Sequence, residues 1–168
     1  MQLPEAKEKF IQSWGSLGSQ WGINRTMAQI HALLLISADP LTTEEIMERL
    51  KVSRGNANMN VRELINWQLV KRETKAGERK EFFVAEKDMW KVFRLILKER
   101  KKREIDPMIH IIHELSALKG DKKNKEYKQF SDLIDDLEDL TNKGDKMMEL
   151  VIKSDENWFL NTFIKLMR

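Results

Sequence analysis

Apolar residues recur every three or four positions along most of this chain, which is the spacing of one face of a helix. The first such stretch predicts a helix from about Pro4 to Gln20, which Gly22 ends. The second predicts a helix that begins near Asn24 and stops at Asp39-Pro40. The apolar stripes are Phe10, Trp14, Leu17 and Trp21 on the first helix and Met27, Ile30, Leu33, Leu34 and Leu35 on the second.

Two short helices are predicted to follow. Thr42 has the position of an N-cap and Glu45, three residues later, completes a capping box, so a helix is expected to reach Leu50. Ser53 is then expected to cap a further helix that ends near Trp67.

The pattern then changes to that of strands. Residues 68–73 and 80–84 are predicted to pair as a β-hairpin around a turn that contains Gly77. A helix pair followed by a basic hairpin indicates a winged helix-turn-helix. The expected fold class is therefore mainly α, with a small β-hairpin wing and with N- and C-terminal helices for dimerisation.

Helical spacing resumes at Glu86. Asp106 and Pro107 are expected to cap and start a new helix after a kink or break, and this helix should stop near Gly120. A further helix should end at Gly144, before a final pair of helices around 147–151 and 158–164. The chain is thus divided into an N-terminal packing or dimerisation helix (1–22), a DNA-binding domain (23–86) and a C-terminal dimerisation and effector region (87–168).

The distribution of charge along the chain is more informative than the net charge. The net charge is only +3, but residues 49–80 hold nine basic side chains against three acidic ones. Such an excess favours a surface that faces phosphates, although solvated helix faces produce similar runs. The absence of cysteine excludes disulfides and thiol chemistry, and no apolar run reaches the roughly 18 residues that span a bilayer. A soluble, cytoplasmic protein without a membrane partner is expected.

The second short helix carries the candidate chemistry. Ala57, Val61 and Leu64 fix an inward face, so the opposite face must point outward. Arginine, asparagine and an apolar tip on that face suit guanine, adenine and the thymine methyl group in a major groove. Taken alone, the same face is also what a solvated helix surface would present. The candidate DNA-binding residues are Thr42, Thr43, Ser53, Arg54, Gly55, Asn56, Asn58, Met59, Arg62, Lys75, Arg79 and Lys80.

The runs Ser53-Arg54-Gly55-Asn56 and Gly77-Glu78-Arg79-Lys80, with Asp39-Pro40-Leu41-Thr42 before them, resemble the GbsR branch of MarR-type bacterial transcriptional regulators. The resemblance is strongest from about Trp21 to Trp90. It implies a recognition helix that starts at Ser53, a wing tip at Arg79 that contacts DNA, and a homodimeric repressor on a palindromic operator. Asn58 stands where many relatives carry serine or threonine, which bears on the operator sequence.

The resemblance also implies an effector, since some regulators of this branch sense choline-like quaternary ammonium compounds. An aromatic cage is the physical requirement for such a ligand, and Trp14, Trp21, Trp67 and Trp90 are the candidates, but a core role for each is favoured. His110 and His113, with Asp106, form only a partial metal-binding pattern, for which surface or interface histidines are the commoner explanation.

No glycine-rich phosphate loop and no pairing of nucleophile and base is apparent, so neither an enzyme nor a cofactor is expected. The partners expected are double-stranded DNA, a second copy of the chain and a small-molecule effector. Two alternatives remain open: a winged-helix module that binds another protein, and an architectural protein that binds DNA without sequence preference.

Overall fold

The computed structural model describes residues 1–121 and 123–155. It divides into two compact units, Met1–Val92 and Phe93–Arg168. The fold class predicted from the sequence is confirmed: the described residues are mainly helical and carry a small antiparallel sheet in a winged helix-turn-helix order. No helix in the described part of the chain combines the length and the apolar character needed to cross a bilayer.

The elements of the first unit follow the predicted order. In it, α1 (Leu3–Gln20), α2 (Arg25–Ile36), α3 (Thr43–Leu50) and α4 (Arg54–Asn66) precede the strands β2 (Val70–Thr74) and β3 (Glu81–Ala85), and β1 (Leu41–Thr42) lies between α2 and α3.

Helix α2 is the centre of the first unit because it is buried on almost every side. Asn24 caps its start by accepting a hydrogen bond from the backbone N–H of Met27. Its C-terminal end is closed by Lys87, whose Nζ donates to the carbonyl oxygens of Leu34, Leu35 and Ser37 at 2.7, 2.6 and 2.9 Å. These carbonyls have no partner within the helix, so the lysine replaces water there.

Helix α1 packs on α2 through a face that differs from the predicted apolar stripe. The buried positions are Ile11, Gly15 and Gly18, whereas Trp21 is 51% exposed. A Cβ atom at Gly18 would lie 2.6 Å from the Cβ of Ala28, so glycine is what allows the two helices to come this close. Apolar spacing alone could not reveal a contact made by backbone.

The predicted hairpin is present, and a third strand joins it. The order is β1-β3-β2, with Leu41 opposite Phe83 and Thr42 opposite Phe82. Strand β1 has only two residues, which is too short for an alternating pattern to indicate. It fixes the segment before α3 to the wing.

The second unit contains a π-helical turn where a break was predicted. After α5 (Met89–Arg100), residues Lys101–Ile105 form this turn and lead directly into α6 (Asp106–Ser116). The backbone N–H of Asp106 donates to the carbonyl of Lys101, five residues back, and this wider turn accommodates Pro107, which has no N–H to donate. The prediction that Asp106 caps a new helix was wrong, since its carboxylate instead accepts from Lys101 Nζ at 2.6 Å.

Helix α7 (Lys125–Lys153) is a single helix of 29 residues, so the predicted end at Gly144 was also wrong. One glycine costs a helix only about 1 kcal/mol, which packing along the rest of its length offsets. Helix α7 packs against α6, and Ile112 and Ile134 are buried in this unit. Lys101 adds an ionic contact, because its Nζ lies 2.8 Å from a carboxylate oxygen of Asp145 on α7. The last helix predicted, around 158–164, lies outside the described residues.

His31 on α2 gives the first unit a dependence on pH. It is 2% exposed, and its Nε2 has no hydrogen-bond partner among the described residues. Burial, with a smaller effect from the charge of Lys87, lowers the pKa of His31 from 6.5 to about 4. Between about pH 6.5 and about pH 4, His31 is therefore protonated in the unfolded chain and neutral in the folded chain.

We expect the free energy of unfolding to be fully retained above about pH 6.5 and to fall by roughly 3 kcal/mol as the pH drops to about 4, because each pKa unit is worth about 1.4 kcal/mol. Urea unfolding of the wild type and of His31→Leu across this range measures the difference. The variant, which cannot take up this proton, should lose less stability. Parallel curves for the two proteins would contradict the assignment.

Candidate nucleic-acid interface

Thr42 joins the sheet to the first helix of the helix pair. Its backbone N–H donates to Glu45 Oε2 at 2.7 Å, and its Oγ1 accepts from the N–H of Glu45 at 3.3 Å. The predicted capping box is confirmed. Because Thr42 is also paired with Phe82, the start of α3 has a fixed position relative to the wing.

A tight turn orients α4 against α3. Lys51 ends α3 in the left-handed conformation, with φ of 54°. Ser53 caps α4, as predicted, by accepting a hydrogen bond from the N–H of Asn56 at 3.3 Å. The two helices are therefore held at their facing ends by backbone geometry and capping.

The inward face of α4 is the one predicted. Ala57, Val61 and Leu64 are at most 1% exposed. Asn60 is buried beside them and was not predicted to be. Its Nδ2 donates to the backbone oxygen and to Oδ1 of Asn56 at 2.8 and 2.6 Å. A polar residue four positions after another asparagine, on an otherwise apolar face, was the signal available. This contact fixes the amide orientation of Asn56.

The outward face of α4 is open where the prediction requires it. Met59 is 60% exposed and Arg62 is exposed. A Cβ atom at Gly55 would meet nothing within 4 Å, so the chain itself gives no steric reason for glycine there. Asn58 is only half-buried, and its Oδ1 accepts from Thr43 Oγ1 at 3.2 Å, which brings two of the candidate residues together across α3 and α4.

Arg54 forms an ion pair with Glu44, an acidic residue that was not among the predicted site residues. Its Nη2 lies 2.8 Å from Oε1 of Glu44, and both side chains are substantially exposed. The pKa of Glu44 is held below its usual value first by a hydrogen bond from its own backbone N–H and then by Arg54 and Lys80. The first turns of α3 and α4 thus form a compact charged corner.

The wing places its predicted basic residues in different surroundings. All residues from 71 to 80 are exposed, and Gly77 adopts φ of +83° in the turn. Lys75 lies with its Nζ 4.2 Å from the centre of the Phe82 ring, a cation–π contact. Lys80 acts on Glu44 through its charge, so it lies towards α3. Arg79 is exposed in the turn and makes no ion pair with any described residue.

A groove of about 690 Å³ runs between the outward face of α4 and the strands. Arg62 and Asn66 line it from the helix, and Arg72, Glu81 and Phe83 line it from the sheet. Arg72 Nη1 is paired with Glu81 Oε1 at 2.7 Å. The groove therefore holds two guanidinium groups, of which only Arg62 makes no ion pair within the described ranges.

The four candidate tryptophans occupy different environments. Trp14 is half-buried, with its ring 5.4 Å from Phe10 and 6.3 Å from His31. Trp67 is 4% exposed and its Nε1 donates to Glu63 at 3.1 Å. Trp21 is half exposed and Trp90 is partly exposed. A cleft of about 370 Å³ between the first turns of α1 and the end of α2 is lined by none of these four residues.

The two histidines of α6 bind glutamates. His110 Nε2 lies 3.3 Å from Glu114 Oε1, and His113 Nδ1 lies 2.8 Å from Glu138 Oε1 on α7. In the described part of the chain, no three histidine, cysteine or carboxylate side chains are grouped to hold a metal ion. His113 thus takes part in the contact between α6 and α7.

Comparison with known proteins finds a match to one family model, a similar repressor and a solved structure of the same fold. Residues 21–81 match the model of the MarR family. The HTH-type transcriptional repressor GbsR of Bacillus subtilis (strain 168) is 28% identical over 103 residues, which are 61% of this chain and 57% of that protein. The match thus spans just over half the length of that relative. A crystal structure of a transcriptional regulator has the same fold, with a TM-score of 0.56 at 19% identity over 83% of this chain and 95% of that one.

Proposed function

We propose that this chain, whose residues 21–81 match the model of the MarR family, is a DNA-binding transcriptional regulator that inserts α4 into a major groove. The observation that carries the proposal is the division of α4 into two faces. One face is buried through Ala57, Val61 and Leu64, and the other exposes Met59 and Arg62 beside a basic wing. A recognition helix needs this combination of a fixed orientation and an open polar face.

The side chains divide into base-reading and backbone-contacting groups. Arg62 and Asn58 suit hydrogen bonding to purine edges, and Met59 suits a thymine methyl group. Arg79 at the wing tip suits a narrow minor groove. Phosphates would be contacted by Thr43, Ser53, Arg54, Asn56, Lys75 and Lys80, several of which lie at the N-terminal ends of α3 and α4, where free N–H groups attract anions. Thr42, also predicted to bind DNA, is 6% exposed and is engaged with Glu45, so its part is to start α3.

Arg62 should set sequence preference and Arg79 should add affinity. We expect Arg62→Ala to weaken binding to a selected operator by about 1–3 kcal/mol and to relax the preferred base at one position of each half-site. Arg79→Ala should weaken binding with less change in preference at that position. Fragments selected from random DNA, followed by fluorescence anisotropy on the selected site and on a scrambled one, measure both effects.

Lys9→Ala is the matched control, since Lys9 is an exposed cation on α1, outside the interface. It should bind DNA as the wild type does. If no fragment is selected by the wild type, the chain is better explained as a protein-interaction module. If all fragments bind with equal affinity, and that affinity falls steeply as the salt concentration rises, an architectural role replaces sequence-specific regulation.

The protein should act as a homodimer, because one recognition helix covers only a few base pairs and a two-fold reader binds two half-sites. Support comes from apolar side chains that α7 leaves exposed at helical spacing. Leu133, Leu140 and Met147 are 54, 66 and 69% exposed, and Phe130 and Leu150 extend the same pattern. Helix α6 exposes Met108, Ile111 and Leu115 in the same way, and Leu118, just after its end, is also exposed. A second copy of these helices is the proposed cover.

Leu140→Glu should convert the dimer to a monomer, because it places a charge in the proposed apolar contact. Sedimentation equilibrium measures the change, and operator affinity should fall by at least about tenfold as one half-site contact is lost. Lys146→Glu, at an exposed position of the same helix, is the control and should remain dimeric. A wild type that sediments as a monomer, or a dimeric Leu140→Glu, would refute this arrangement.

A repressor of this kind, acting in the cytoplasm, needs a signal, and we propose a quaternary ammonium compound bound against tryptophan. Trp14, next to Phe10, offers the best-defined aromatic surface of the four candidates. Trp21 and Trp90 are within reach of solvent, whereas Trp67 would need to leave its buried position.

Choline or glycine betaine should raise the melting temperature, because a ligand at 100 times its Kd stabilises the folded state by about 2.7 kcal/mol. Trp14→Leu should reduce that shift, and Trp21→Leu serves as the comparison at an exposed site. Thermal shift and operator binding in parallel make the test. If neither compound changes the melting temperature or the DNA affinity, this effector class has no support.

A further inference from the structure

We propose that Glu44 competes with DNA phosphate for Arg54. This competition weakens DNA binding and reduces its dependence on salt concentration, so this one carboxylate keeps non-specific affinity low. The proposal rests on the proposed DNA-binding function and assigns Glu44 a regulatory part in the same interface. Glu44 is a positioning residue in this scheme, since it acts through Arg54 and contacts no base.

The contact joins the two helices at their DNA-facing ends. Arg54 is the first residue of α4, and Glu44 is in the first turn of α3. Arg54 Nη2 and Glu44 Oε1 are 2.8 Å apart, with side chains 62% and 48% exposed. An exposed ion pair stabilises a protein little and is readily exchanged, so a phosphate oxygen can reach the guanidinium and replace the carboxylate.

Glu44 stays ionised while it does this. Its own backbone N–H, Arg54 and Lys80 all favour the charged form, so the pKa of Glu44 is lowered. Lys80 is the second proposed phosphate contact that this carboxylate attracts. The negative charge of Glu44 also repels the phosphate that these two basic residues would bind.

The exchange has a definite effect on salt dependence. When a cation of the protein binds a phosphate, a counterion leaves the DNA, and each such contact steepens the plot of log K against log salt by about 0.9. If Arg54 must first leave Glu44, the freed carboxylate recruits a cation from solution. The counterion released from the DNA and the cation bound by Glu44 cancel. The Arg54 contact therefore adds little to the slope of log K against log salt in the wild type.

Glu44→Gln removes the carboxylate that competes for Arg54, so binding of Arg54 to phosphate again gives a net release of a counterion. We expect its salt slope to steepen by about 0.9, which is an extra loss of affinity of roughly threefold between about 50 and about 200 mM salt. At low salt the variant should bind a random duplex roughly three- to fivefold more tightly than the wild type. Arg54→Gln should have a small effect in the wild type and a larger one in the Glu44→Gln background.

Glu48→Gln is the matched control. It lies one turn further along α3, is exposed, makes no ion pair with the described residues and changes the net charge by the same amount. Fluorescence anisotropy with the full chain, on a random and on a selected duplex at four salt concentrations, gives the slopes of all five proteins. Circular dichroism confirms that each variant keeps its helices.

The outcomes distinguish a failure of this proposal from a failure of the proposed DNA-binding function. A steeper slope and tighter binding for Glu44→Gln, absent in Glu48→Gln and removed by Arg54→Gln in the double variant, support it. Equal slopes for the two glutamate variants overturn it and leave DNA binding intact. Weaker operator binding by Glu44→Gln also overturns it, because Glu44 would then aim Arg54 at DNA. A wild type that binds no DNA overturns both proposals.

Discussion

The geometry of the proposed interface depends on Thr42. Its backbone pairs with Phe82 in the sheet, and its side chain closes the capping box that starts α3. The wing and the first helix of the pair are therefore fixed by one residue, and α4 follows from α3 through a three-residue turn. A reading surface assembled from separate elements needs such a rigid junction, because base contacts tolerate little displacement.

Charge on this surface is balanced more closely than its basic composition indicates. Arg54 is paired with Glu44, Arg72 with Glu81, and Lys75 rests on the ring of Phe82. Arg62 and Arg79 make no ion pair among the described residues, and they are the two arginines to which base or groove contacts are assigned. If the chain binds DNA as we propose, these acidic partners moderate its attraction to phosphate, and low non-specific affinity is what a sequence-specific protein requires in the presence of excess DNA.

The second unit combines a polar interior contact with an apolar exterior. Lys101 lies among the carboxylates of Asp106, Asp145 and Glu149, and its hydrogen bonds to Asp106 and Asp145 raise its pKa. Its π-helical turn accommodates Pro107 without ending the helix. Helices α6 and α7 meanwhile leave apolar side chains exposed, and these form the surface that we propose for dimerisation.

The sequence by itself determined the elements whose signals are local. The caps at Thr42 and Ser53, the inward face of α4 and the hairpin around Gly77 all depend on residues within a few positions of one another. Signals at Pro107 and Gly144 were local too, but a wider turn at Pro107 and the packing of α6 and α7 outweighed the intrinsic costs of these residues.

Only the tertiary structure decided which side chains meet. The close approach at Gly18, the two-residue strand β1 and the pairing of Arg54 with Glu44 join residues ten or more positions apart, and the sequence contains no periodicity that encodes such distances.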